Sequence, residues 1–142
     1  EVAAAILTLI EQQKLVAEGA GAVSVAAVLF NKIPVAGKKV VCVVSGGNID
    51  VTSLNRVITR GLVKSGRDCT VTVVLSEKPG QLSKVCSVIG DLGANILSVE
   101  HKRNSKNTDI NGCKLHIDME TRNLEHIEII REGLKKAGFE VE

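Results

Sequence analysis

Ser45, Gly46 and Gly47 carry the strongest chemical signal in this chain. They follow Val40-Val-Cys-Val-Val44, a run whose β-branched composition predicts a strand buried on both faces. A helix is expected just beyond them. A hydroxyl and bare backbone amides then stand at the carboxyl end of a buried strand, where open α/β sheets bind ligands. One such strand cannot complete a site, so the stretch reads as the tail of a larger enzyme domain. The start at Glu1, with Met119 as the only methionine, fits a piece of a longer protein.

The other reactive side chains point to less. Cys42, Cys69, Cys86 and Cys113 form no C-x-x-C pair, and no histidines stand at zinc spacing, so no metal site is expected. The cysteines read as buried or half-buried thiols of a reducing cytoplasm. His101 and His116 are expected on neighbouring strands, facing each other as surface or interface residues. A net charge of +2 gives no basic patch of nucleic-acid-binding strength. Aromatic residues are 1% of the chain, so base-stacking platforms are nearly excluded. No apolar run approaches the roughly 18–20 residues of a membrane span.

Two halves position these groups. Residues 1–66 read as helix, short strand, helix, strand, helix. Val2, Ala3, Ile6, Leu9 and Ile10 have helical spacing without a preceding cap. Leu15-Val-Ala-Glu18 is the short strand, and a small-residue helix runs from about Ala22 to Phe30. Asp50 is the expected N-cap of a helix striped by Leu54, Val57, Ile58 and Leu62.

Residues 67–142 have a different grammar. Val71–Leu75 is a strand, and Pro79-Gly80 turns it into a helix lined by Leu82, Val85, Cys86, Ile89 and Leu92. Gly93 stops that helix, and a strand runs from Ile96 to about Lys102. Arg103–Gly112 is a polar hairpin loop. Cys113, Leu115, Ile117 and Met119 alternate with Lys114, His116, Asp118 and Glu120, the pattern of a sheet with one buried face. Asn123 caps a last helix with Leu124, Ile127, Ile130 and Leu134 inward, and Phe139–Val141 is a final short strand. The order is βαββαβ, ferredoxin-like. Ser65–Asp68 carries little apolar weight and reads as a hinge.

Two sets of motifs resemble known families. Glu18-Gly-Ala-Gly-Ala-Val, Ser45-Gly-Gly-Asn-Ile-Asp-Val and Leu54-Asn-Arg-Val-Ile resemble the end of the catalytic domain of threonine dehydratases (threonine ammonia-lyases). Leu75-Ser-Glu-Lys-Pro79-Gly80-Gln-Leu82 and Leu92-Gly-Ala-Asn95-Ile96 resemble an ACT domain, a small amino-acid-sensing module. Their order is that of threonine dehydratases with one C-terminal ACT domain.

The resemblance implies an α/β fragment of a pyridoxal-phosphate fold-type II (tryptophan-synthase-β-like) domain over 1–66, and an α+β ferredoxin-like ACT domain over 67–142. It implies that Ser45 hydrogen-bonds the pyridine nitrogen of pyridoxal phosphate, with Gly46, Gly47 and Glu18 beside the cofactor. A hydroxyl there does not force protonation of the ring, which suits β-elimination over transamination. The family's Schiff-base lysine and glycine-rich phosphate loop have no counterpart here, so no catalytic residue is assigned and this piece alone is expected to be inactive. The ACT half implies a cytoplasmic homo-oligomer binding an amino-acid effector, isoleucine first and valine second. Gly80, Gln81 and Leu82 would seat its carboxylate on helix N-terminal amides, with Asn95 and Ile96 contributing from a partner copy. A serine dehydratase or racemase, or a stand-alone amino-acid-binding regulator, are the alternatives.

Overall fold

The computed structural model describes residues 1–103 and 112–142. The chain divides into two compact units, Glu1–Gly61 and Leu62–Glu142. The tip of the expected hairpin loop, 104–111, lies outside the described residues.

In the first unit, α1 (Val2–Thr8) continues into a π-helical turn, Leu9–Gln13, which Lys14 ends in the left-handed conformation. A 3-10 turn, Ala20–Ala22, leads into α2 (Val23–Leu29). Ala5, Ile6, Leu9, Ala17, Ala22 and Ala26 form a core of mostly small side chains, with Val44, Ile49, Leu54 and Val57 packed against it. α3 (Val51–Lys64) starts as its sequence predicts: the Ser53 amide donates to Asp50 Oδ1 at 3.0 Å.

Two expected strands of this unit do not form. Leu15–Glu18 is irregular, and Val40–Val44 is no strand and is not buried on both faces. Val41 is 90% and Val43 73% exposed, while Cys42 and Val44 are half-buried. The reason is pairing. A strand exists only where a neighbour takes its backbone groups; this run instead meets a serine, with Ser24 Oγ donating to the Val43 carbonyl at 2.7 Å and Cys42 Sγ donating to the Ser24 carbonyl at 3.7 Å.

The second unit is the βαββαβ fold read from its alternation. β1 (Asp68–Ser76), α4 (Gln81–Asp91), β2 (Asn95–Lys102), β3 (Gly112–Glu120), α5 (Leu124–Lys136) and β4 (Glu140–Val141) build an antiparallel sheet in the order β2-β3-β1-β4. Register follows from period two. Val71, Val73 and Leu75 oppose Ile117, Leu115 and Cys113, which puts all six on one face under α4 and α5. Val85, Ile89, Ile130 and Leu134 close the core from the helices.

Three expectations fail in detail. Leu82 is 41% and Leu124 60% exposed. Each stands in the first turn of its helix, ahead of the first buried apolar residue, Val85 or Ile127. His101 opposes Leu115 whereas His116 opposes Glu100, so a one-residue offset sends the two histidines to opposite faces.

His126 was invisible to periodicity, yet it is buried and joins the two helices. The Arg122 amide donates to Nδ1 at 3.1 Å, and Nε2 lies 2.9 Å from the Leu92 carbonyl. An amide can only donate and a carbonyl can only accept, so these contacts suit the tautomer with its N–H at Nε2.

Urea unfolding tests the core assignment. Ile117→Ala should cost about 2–5 kcal/mol, and Leu82→Ala well under half as much, because Leu82 keeps much of its surface in water. Equal losses would mean that Leu82 is buried after all.

Candidate functional site

Glu18 and the Ser45–Gly47 turn, far apart in sequence, meet in the first unit. The Glu18 amide donates to the Gly46 carbonyl at 3.0 Å. Gly46 has φ +71°, and a Cβ there would stand 2.5 Å from Glu18 Oε1. A Cβ on Gly47 would come within 3.2 Å of the Val16 carbonyl. Gly21 is tighter still, since its Cβ would lie 1.6 Å from the Ser45 carbonyl oxygen. Glycine at 21 therefore lets its backbone touch that of Ser45, while glycine at 46 meets the positive φ and leaves room for the Glu18 side chain. Ser45 itself is exposed.

The second candidate region is the start of α4. Gly80 takes φ +83°, and no side chain caps the helix. The Gln81 amide bonds the Lys78 carbonyl at 3.3 Å, and the Lys84 amide the Gly80 carbonyl at 3.1 Å. The amides of Leu82 and Ser83 therefore have no acceptor within the helix. A cavity of about 560 Å³ adjoins this terminus, lined by Leu75, Ser76, Gln81, Lys84, Phe139 and Glu140 among others. Lys84 and Glu140 put one charge of each sign on its wall. Sequence reading singled out neither: they lie more than fifty residues apart, and only the fold brings Glu140 of β4 to the start of α4.

The five effector candidates fall into two groups. Gly80, Gln81 and Leu82 follow the end of β1 where Ser76 opposes Gly112. Asn95 and Ile96 begin β2, where Asn95 opposes Glu120, beside the start of β1. A nine-residue strand separates these ends by roughly 25 Å. Asn95 Nδ2 donates to Glu120 Oε2 at 2.9 Å.

A model of the ACT domain family matches residues 64–137. The chain belongs to the ACT domain family. Relatives of known name extend the match into the first unit. The L-threonine ammonia-lyase of Thermotoga maritima is 50% identical over 141 residues, 99% of this chain and 35% of its own length. That of Geobacter sulfurreducens is 42% identical over 142 residues, all of this chain and again 35% of its own length. The biosynthetic L-threonine dehydratase IlvA of Bacillus subtilis is 33% identical over 98% of this chain and 32% of its own length. The chain thus spans about a third of the length of these relatives. A solved ACT domain from the GTP pyrophosphokinase of Chlorobium tepidum is more distant, with 16% identity and a TM-score of 0.41 over 53% of this chain and 96% of its own.

On the face of the sheet away from the helices, Asp118 accepts from Thr70 Oγ1 at 2.6 Å and from Ser98 Oγ at 2.7 Å. These bonds, Thr70 first, hold its carboxyl below the usual carboxylate range. Burial pushes the Cys69 and Cys113 thiols up, away from nucleophilic thiolates. No group of three potential metal ligands gathers among the described residues, and no helix among them is long and apolar enough to cross a membrane.

Two measurements follow. Gly21→Ala must displace the Ser45 carbonyl, so amide shifts of Ser45–Gly47 should move and stability fall by about 1–3 kcal/mol; unchanged shifts would refute the close approach. For Asp118 the folded pKa lies below the unfolded one. Its stabilisation is therefore complete above the unfolded value of about 3.9 and lost as pH falls through the lowered one. A carboxyl-carbon NMR titration should show Asp118 rising toward the ordinary value in Thr70→Val. No rise would remove the hydrogen bond as the cause.

Proposed function

We propose that this chain is the regulatory end of a pyridoxal-phosphate-dependent threonine ammonia-lyase, with residues 1–66 completing the catalytic domain and 67–142 sensing an amino acid. The observation that carries the sensing role is the uncapped α4 terminus beside the 560 Å³ cavity. Free Leu82 and Ser83 amides suit a carboxylate. The paired charges of Lys84 and Glu140 suit a zwitterion, and Leu75 and Phe139 offer apolar wall to a branched side chain. Isoleucine and valine have that chemistry. The name of the Bacillus subtilis relative, a biosynthetic threonine dehydratase, favours threonine over serine as the substrate of the intact enzyme.

Assembly completes the effector site in this reading. β2 is an edge strand of eight residues whose burial pattern is almost wholly exposed, and such an edge takes a partner strand. Two-fold, antiparallel pairing of β2 with its copy brings one Asn95 end to the other's Lys102 end. That end carries the β1–α4 turn, so Asn95 and Ile96 of one copy stand at the same end of the joined sheet as Gly80–Leu82 of the other.

The first unit suits the cofactor's edge. Ser45 is an exposed hydroxyl, and Gly46 and Gly47 leave bare backbone beside it. Ser45 would hold the pyridine nitrogen, with Gly46, Gly47 and Glu18 shaping the rim. Pyridoxal phosphate supplies the electron sink for elimination when bound. The exposed face of Val41 and Val43 would then be covered by the part of the enzyme that the longer relatives carry outside the matched stretch.

Sedimentation and calorimetry test the sensor together. The chain should sediment as a dimer at micromolar concentration and bind isoleucine or valine in preference to threonine or serine. Gly80→Leu should abolish binding, since it places a side chain at a positive φ at the mouth of the seat. Binding that survives this substitution would put the effector elsewhere, and a monomer would remove the shared site. The chain alone, given pyridoxal phosphate and threonine, should form no 2-oxobutanoate above a protein-free control.

A further inference from the structure

We propose that Thr121 is a positioning residue that ties the last turn of α3 to the Asn95 end of the ACT sheet, making α3 the lever through which the sensor acts. The lever role rests on the reading of the second unit as an amino-acid sensor; the tie itself does not.

The expected hinge at Ser65–Asp68 has no slack. α3 ends with the Gly66 amide on the Val63 carbonyl at 3.1 Å and the Arg67 amide on the Leu62 carbonyl at 2.8 Å. Together with Gly66 in the left-handed conformation, these two bonds make a Schellman closure. The carbonyls that follow are taken by one residue. Thr121 Oγ1 donates to the Gly66 carbonyl, and the Thr121 amide donates to the Arg67 carbonyl at 3.0 Å. Asp68 then enters β1. Gly66 also packs on the β3–α5 turn so closely that a Cβ would meet the Leu124 nitrogen at 2.4 Å. Thr121 is buried, and its hydroxyl has two neighbours there, the Gly66 carbonyl and, at 4.0 Å, Cys69 Sγ of β1.

Thr121 also sits where an effector would be felt. It follows Glu120, which opposes both Asp68 and Asn95 in the ladder and accepts the Asn95 side chain at 2.9 Å. A cavity of about 250 Å³ is lined by Leu62 of α3, Arg67, Asp68, Leu97 of β2, Glu120 and Thr121. Leu97 is the extra residue where the β2–β3 register slips, a local irregularity at the strand's start. A ligand drawing on Asn95 therefore has a hydrogen-bonded route through Glu120 and Thr121, and a packing route through Leu97, to the same helix end. α3 ends at Lys64, and its residues from Leu62 onward fall in the second unit with Thr121.

Hydrogen exchange on the 142-residue chain tests the tie without any effector. In Thr121→Val the amides of Gly66 and Arg67 should exchange about tenfold faster, while those of Val73 and Leu115 change little, and Thr121→Ser should restore protection. Unchanged exchange at Gly66 and Arg67, or an equal rise throughout β1 and β3, would overturn the tie. In the longer enzyme, Thr121→Val should bind isoleucine or valine about as tightly as the parent but lose most of the change in activity that saturating amino acid causes. A full response in the variant would overturn the lever. A parent enzyme that binds no amino acid would overturn the sensor reading and the lever with it, leaving the exchange result to decide the tie.

Discussion

β3 is hydrogen-bonded along both of its edges, to β1 from Asp68↔Glu120 to Ser76↔Gly112 and to β2 from Asn95↔Glu120 to Lys102↔Lys114. Being paired twice, it fixes the register of both neighbours, and period two does the rest. Cys113, Leu115, Ile117 and Met119 are all fully buried, and the residues opposite them on β1 inherit the same face. α4 and α5 have only that face to cover, and His126 bonds the end of one to the start of the other. A slip of one residue in β3 would turn Lys114, His116, Asp118 and Glu120 into the core.

The same pairing places the candidate effector residues at opposite ends of the sheet. β1 and β2 both run antiparallel to β3, so their starts lie together at one end and the α4 terminus at the other. The free amides and the Asn95 side chain cannot serve one ligand within a single copy. In the proposed assembly two copies joined at β2 would bring them to one end of a shared sheet, and the exposed length of β2 is compatible with such pairing. The end that holds Asn95 also holds Thr121, so the place where a partner's ligand would press is the place where α3 is anchored.

In the first unit the constraint is close approach rather than pairing. Gly21, Gly46 and Gly47 let the Glu18 and Ser45 segments share one small volume, which a single methyl group at 21 would disrupt. The extended run Val40–Val44 is held from one side by Ser24 and the alanine-rich core, and faces outward with Val41 and Val43. Its alternating burial, half-buried at Cys42 and Val44, is the profile of a strand with one face satisfied.

The sequence by itself determined the βαββαβ order, the buried face of β3, and the Asp50 and Asn123 caps, because alternation, helical stripes and capping residues act over a few residues. It also marked Ser45–Gly47 and Gly80–Leu82, since a glycine that must take positive φ or admit backbone is legible as a residue type. Pattern could not say whether Val40–Val44 would find a ladder, because an apolar run states a preference for burial and only a neighbour supplies the bonds. Nor could it tell that His101 and His116 part by one register step, that His126 is a buried bridge, or that Thr121 closes the supposed hinge. Those outcomes depend on which distant segments meet, and tertiary structure alone decided them.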